Sequence, residues 1–136
     1  MTPDEARARF EASPVAYLAT VGSDGSPHIV PISFALDGDT IWTAVDAKPK
    51  HGTRLRRLEN VAANPRVSVL VDHYEADWTH LWWARADGRA SAYFEGPELE
   101  RALALLRARY PQYAEIELRG PALGIAVERW SGWSAS

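Results

Sequence analysis

The segment KPKHGTRLRRLENVAANP, residues 48–65, gathers Lys48, Lys50, Arg54, Arg56 and Arg57, with His51 among them, in a chain of net charge −3. Leu55, Leu58 and Val61 recur at helical spacing and Asn64-Pro65 ends the run, so the spacing predicts a helix within residues 52–64. Arg54 and Arg57, three apart, share a face of it. Lys48 and Lys50 stand in the loop before the helix, on either side of Pro49, which restricts that loop. The free backbone amides and the positive end of the helix dipole face the same loop. Lysines, arginines and amides converging in this way suit an anion such as a phosphate. The same pattern also fits a solvated helix face whose arginines pair with Asp46, Glu59 or Asp72.

Other chemistry does not assemble. The chain has no Gly-rich dinucleotide loop, no Walker sequence, no HExxH and no serine framed as a nucleophile elbow. It has no cysteine, and its histidines, His28, His51, His73 and His80, include no close pair at ligand spacing, so no metal site is expected. His73 and Glu75 beside Asp72 could do acid–base work, yet they read as loop residues after a strand. No catalytic residue is assigned. An enzyme without an evident protein catalyst fits the class in which a cofactor carries the chemistry. Six tryptophans, Trp42, Trp78, Trp82, Trp83, Trp130 and Trp133, supply large surfaces that serve a core or a dimer interface, or that stack on a flat ligand.

The elements that must position these residues are short strands. Thr2, Pro3 and Glu5 form the cap, first position and capping box of an opening helix that Ser13-Pro14 ends. VAYLATV reads as a strand, GSDGSP as a hairpin turn and HIVPISFAL as the returning strand, with Val30, Ile32, Phe34 and Leu36 on its core face. Pro31 cannot donate to a ladder, so an edge, a bulge or a ligand is expected there. DGD turns the chain into TIWTAV. RVSVLVD is a strand after the basic segment, and HLWWARA and RASAYF read as a hairpin about Asp87-Gly88. PELERALALLRARY is an amphipathic helix with Leu99, Ala102, Leu103 and Leu106 on one stripe, and LGIAVERW is a last strand. About seven strands in a hairpin series argue against a parallel α/β sheet and for a small antiparallel barrel with peripheral helices.

The 136 residues, 46% of them hydrophobic, suit one domain spanning 1–136, with no repeat or linker. The acidic balance argues against broad nucleic-acid binding. MTPDEARARF lacks the apolar stretch of a signal peptide, and no run is long enough to span a membrane, so a soluble cytoplasmic protein is expected.

The order of these parts resembles the pyridoxamine-phosphate-oxidase-like (PPOX-like) family with its FMN-binding split β-barrel. YLATVGSDGSPHIVPISFAL, TIWTAVD, LRRLENVAANPRVSVLVD and WWARADGRA carry the resemblance, which covers nearly the whole chain. KPK before LRRLENVAANPRVSVLVDHYEADW, the pair Trp82-Trp83 and the ending VERWSGWSAS look most like an actinobacterial branch of coenzyme F420-dependent oxidoreductases. The resemblance implies a homodimer with two cofactor grooves, each built from both subunits. It implies that Lys48, Lys50, Arg54 and Arg57 hold the phosphate. It implies that the tricyclic ring lies along Val30, Pro31, Ile32, Ser33 and Thr43, with Trp78 or Trp82 of the second subunit closing the groove. The expected cofactor is coenzyme F420, with FMN as the alternative. The expected reaction moves hydride between reduced deazaflavin and an unsaturated small organic substrate. The chain lacks the C-terminal extension of true pyridoxamine-phosphate oxidases, so that activity is not expected. An FMN-binding oxidoreductase of the same fold and a protein that stores a cofactor without turnover are the other readings, and an oligonucleotide-binding barrel ranks below them.

Overall fold

Thr2 caps the first helix, α1 (Pro3–Glu11), of a computed structural model that describes residues 1–46 and 55–136. The Glu5 amide donates to the Thr2 hydroxyl over 3.1 Å, and the Thr2 amide donates back to the Glu5 carboxylate over 2.9 Å, as the capping box requires. The chain continues through β1 (Ala16–Val21), β2 (Pro27–Ile32), β3 (Ala35–Asp37), β4 (Thr40–Asp46), α2 (Arg56–Ala63), β5 (Arg66–His73), β6 (Trp82–Tyr93), α3 (Pro97–Arg109) and β7 (Leu118–Ser134). Short 3-10 turns at Trp78–His80 and Pro111–Ala114 precede β6 and β7.

The seven strands form one antiparallel sheet in the order β2-β1-β5-β6-β7-β4-β3. The two edges, β2 and β3, are consecutive in the chain and are not paired with each other among the described residues. The sheet therefore curls into a barrel that stays open along one seam: the split antiparallel barrel expected from the sequence. Strand alternation fills its interior. Leu18, Val67, Val69, Val71, Ala84 and Ala86 face inward, and all are buried. Phe10 of α1 enters one end, edge-on to Phe34 and Trp130 at ring-centre distances of 5.9 and 5.1 Å. A second core forms where Leu99, Ala102, Leu103 and Leu106 of α3 pack on Trp42, Leu118 and Ala122. This is the stripe the sequence predicts.

Two expectations change. Asp87-Gly88 is not a hairpin turn, because β6 runs unbroken through it. Asp87 pairs with Arg129 while Gly88 pairs with Val127, so Glu128 is the extra residue of a β-bulge. A Cβ on Gly88 would collide with the Ala126 carbonyl, so the glycine permits close approach of two strands rather than a turn. HIVPISFAL is likewise two strands, with a break at Ser33 and Phe34. Val30, Ile32 and Phe34 keep the predicted inward side, but Ala35 is buried as well, in the second core. Pro31 lies on the edge strand β2, where a missing N–H costs the ladder nothing. Among the described residues no helix is long and apolar enough to cross a membrane.

Candidate cofactor and ligand site

Leu58 and Val61 tie α2 to the barrel core, and the Asn60 side chain donates to the buried Thr20 hydroxyl of β1 over 2.9 Å. The helix is thus fixed beside the turn between β1 and β2. Its first turn carries Arg56, whose charge helps lower the pKa of Asp24 in that turn, behind the larger effect of hydrogen bonds from Ser26. Arg57 is half-buried on the same helix. Lys48, Lys50 and Arg54 lie outside the described residues, so Arg57 is the member of the predicted phosphate grip that the structure describes.

The predicted ring-binding residues divide by strand parity. Pro31 points outward and is exposed. Val30 and Ile32 point inward; Ile32 is buried and Val30 packs against the core. Toward the outer face they present backbone, not side chain. Thr43 is buried too, and its hydroxyl donates to the Ser33 carbonyl over 2.7 Å. It positions Ser33, which is half-buried, instead of facing solvent.

Opposed residues in a ladder share a face, so the outer surface can be read across the strands. Pro31 pairs with Tyr17, Tyr17 with Leu70, Leu70 with Arg85, and Arg85 with Ser131. Asp72 pairs with Trp83 and Trp83 with Trp133 in an adjacent row. The exposed Pro31 therefore stands two strands, about 10 Å, from Leu70. Near Leu70 lies a pocket of about 350 Å³, lined by Leu70, Trp83, Arg85 and Trp133 of this face and by His73 and Trp82, which alternate to the other side. The lining is mainly aromatic and apolar with a few polar groups, the usual make-up of a small-molecule site.

Packing orders this wall. The Arg9 guanidinium lies 4.6 Å over the Trp82 ring, and His73 stacks on Trp82 with ring centres 6.4 Å apart. Arg85 lies 5.4 Å over Trp83 and donates to Asp87 over 3.2 Å, while Ser68 holds the other Asp87 oxygen at 2.6 Å. Its charge is therefore partly satisfied within the face. Glu75 receives hydrogen bonds from His73 and His80, and these hold its carboxyl below the usual range. Together they brace the Tyr74–Leu81 loop at the pocket rim. Donor atoms of Glu75, Asp77 and His80 lie within 4.8 Å of one another, the one such grouping among the described residues.

Of the two predicted groove-closing tryptophans, Trp82 lines the pocket. Trp78 sits on the rim loop with 69% of its surface exposed and does not line it. Sequence reasoning passes over Leu70 and Arg85, and names Trp133 only among the six tryptophans, without assigning it to the site. The signal in WWARAD is an inverted alternation: Ala84 and Ala86 are buried while Trp83 and Arg85 face out.

A family model described as pyridoxamine 5'-phosphate oxidase matches residues 2–134. A 5a,11a-dehydrotetracycline/5a,11a-dehydrooxytetracycline reductase of Streptomyces rimosus is 42% identical over 55 residues, 40% of this chain and 37% of that relative. A conserved hypothetical protein of Mycobacterium tuberculosis superposes with a TM-score of 0.75 at 23% identity, over 99% of this chain and 86% of the other. An FAD-binding protein from Mesorhizobium loti gives 0.69 at 23%, over 97% and 92%. The haem storage protein HutZ of Vibrio cholerae gives 0.71 at 17%, over 98% and 95%. At these identities the superpositions speak for the fold alone.

Proposed function

Because the chain belongs to the pyridoxamine 5'-phosphate oxidase family, we propose that it is an oxidoreductase that binds a flavin-type cofactor, coenzyme F420 in the first instance. One observation carries the reading. The outer sheet face runs from the edge strand at Pro31 through Tyr17 and Leu70 to an aromatic pocket at Trp83 and Trp133, and α2 with its arginines sits beside the β1–β2 turn. A planar ring would lie along such a face, and the basic segment before α2 would supply charge for a phosphate tail. The match to a Streptomyces rimosus reductase supports redox chemistry on an unsaturated ring system, and the FAD-binding neighbour supports a flavin-type ring.

The bound cofactor would supply the hydride chemistry. The chain supplies binding and orientation. Arg57, with Lys48, Lys50 and Arg54, holds the phosphate end. The backbone of Val30, Pro31, Ile32 and Ser33 offers the ring an edge, and Thr43 keeps that edge in place through Ser33. The aromatic wall excludes water from the reacting region and sorts substrates for flatness. The apolar outer face, with Ile29 at 64% and Tyr17 at 41% exposure, is the surface on which a second copy of the chain would dock and complete each groove, with Trp82 or Trp78 reaching across.

Titration of the purified protein with coenzyme F420 and with FMN, followed by fluorescence, tests the reading. Saturable binding of F420 at one site per chain, tighter than FMN, is the expected result. Tighter FMN binding would make this an FMN enzyme of the same fold. Binding of neither would remove the proposal. A second reading, a protein that stores a cofactor without turnover, draws support from the fold shared with a haem storage protein. Tight binding with no reoxidation by any acceptor would favour it.

A further inference from the structure

The backbone at the break between β2 and β3 is held by side chains rather than by a neighbouring strand. The Phe34 N–H donates to the Tyr110 hydroxyl over 3.0 Å. That hydroxyl in turn lies 2.8 Å from the Pro14 carbonyl and 2.9 Å from the Phe34 carbonyl, both within reach of its one proton. Arg109 Nη1 donates to the same Phe34 carbonyl over 2.9 Å, and its guanidinium lies 4.5 Å over the Phe34 ring. Arg109 Nη2 reaches the carbonyls of Phe10 and Glu11 at the end of α1 and of Ser13 just past it. One residue upstream, Thr43 takes the Ser33 carbonyl. Backbone polar groups withdrawn from water need partners, and here they come from the last turn and cap of α3, 75 and 76 residues away in sequence.

This clamp governs direction as well as stability. Phe34 is fully buried and packs edge-on to Phe10, so its side chain is held within the core. With its N–H and C=O also tied, the peptide before it, Ser33–Phe34, has its orientation set from α3. Residues 30–33 are the edge on which the proposed cofactor ring rests. We infer that Tyr110 is a positioning residue for that edge: through the Phe34 backbone it sets how Ser33 meets the cofactor. The inference rests on the cofactor reading above. Tyr110 stands behind Phe34 and touches no ligand itself.

Tyr110→Phe removes one oxygen and leaves the ring in its edge contact with Tyr113, 5.9 Å between centres. The matched control is Leu103→Val, which trims the buried core of α3 without touching the break. Wild type and both variants are titrated with coenzyme F420 and FMN by fluorescence, and their melting temperatures are measured. Tyr110→Phe should weaken the cofactor that wild type binds by at least about fivefold and shift the emission of the bound ring. Leu103→Val should lower the melting temperature without either effect. Unchanged affinity and emission in Tyr110→Phe would overturn the inference, and so would equal weakening in both variants, which reports global destabilisation. If Tyr110→Phe does not fold, Arg109→Lys, which keeps a cation near the Phe34 carbonyl but loses the fork, is read in its place with the same expectations. If wild type binds neither cofactor, the cofactor reading itself fails and takes the inference with it. That outcome is separate because it appears before any variant is compared.

Discussion

Asn60 donates its side-chain amide to the Thr20 hydroxyl over 2.9 Å, and both residues are buried, at 3% and 1% exposure. The bond joins α2, which carries Arg56 and Arg57, to the strand that pairs with β2. A buried polar group left without a partner costs about 1–3 kcal/mol. Asn60→Ala should therefore lower unfolding free energy by about that amount in a urea titration. The double change Thr20→Val with Asn60→Leu should cost less than the sum of its parts, because neither partner is then left unsatisfied. Additive losses would mean that the two side chains do not depend on each other.

Gly88 should not tolerate a methyl group. Its Cβ would meet the Ala126 carbonyl, which is backbone and cannot swing aside. Overpacking of this kind costs about 1–3 kcal/mol, so Gly88→Ala should melt several degrees below wild type. An unchanged melting temperature would show that the bulge relaxes.

The same glycine marks where the sequence stops being legible. Asp-Gly is a strong local hairpin signal, but here the partner strand β7 decides, and β7 lies some forty residues downstream. Local chemistry was readable: the Thr2–Glu5 capping box and the Leu99–Leu106 stripe stand as their spacing implies. The inward valines of β5 were readable by alternation. The pocket was not, because Leu70, Trp83 and Trp133 meet only through the order β5-β6-β7. Nor was the clamp on Phe34, whose partners come from the end of α3. Of the basic cluster, Lys48, Lys50 and Arg54 lie outside the described residues, so the grip stands as a proposal drawn from charge and spacing.

Acid should loosen the rim loop. Hydrogen bonds from His73 and then His80 hold the Glu75 carboxyl below its ordinary value of 4.5. A carboxyl whose pKa is depressed on folding contributes stability that is present above the unfolded value and lost as pH falls through the folded one. The loss should begin below about pH 4.5 and be absent in Glu75→Gln. Tryptophan emission followed on acidification reads it, since Trp78 lies in the loop and Trp82 follows it. Identical acid profiles for variant and wild type would dismiss the bracing role.

Charge-assisted contacts to a phosphate are worth about 1.5–3 kcal/mol each. Lys50→Ala and Arg57→Ala should therefore each weaken cofactor binding about tenfold or more, and raised salt should narrow the gap to wild type. Titration at two ionic strengths measures both. Wild-type affinity in both variants would return the basic segment to a solvated helix face.

The outer sheet face yields the last expectation. Ile29 is 64% exposed on the edge strand, beside Pro31 and across from Ala19. A charge placed there costs one chain almost nothing, since the side chain already faces water. It would be costly inside an interface, where an unpaired charge is withdrawn from solvent. If a second copy docks on this face as proposed, wild type should sediment as a dimer and Ile29→Arg as a monomer in analytical ultracentrifugation, with the circular dichroism spectrum unchanged. If each groove is completed by the second copy, cofactor affinity should fall in step with the dimer and recover at high protein concentration. A variant that stays dimeric would move the interface to another face. A monomer that still binds at wild-type strength would confine the whole site to one chain.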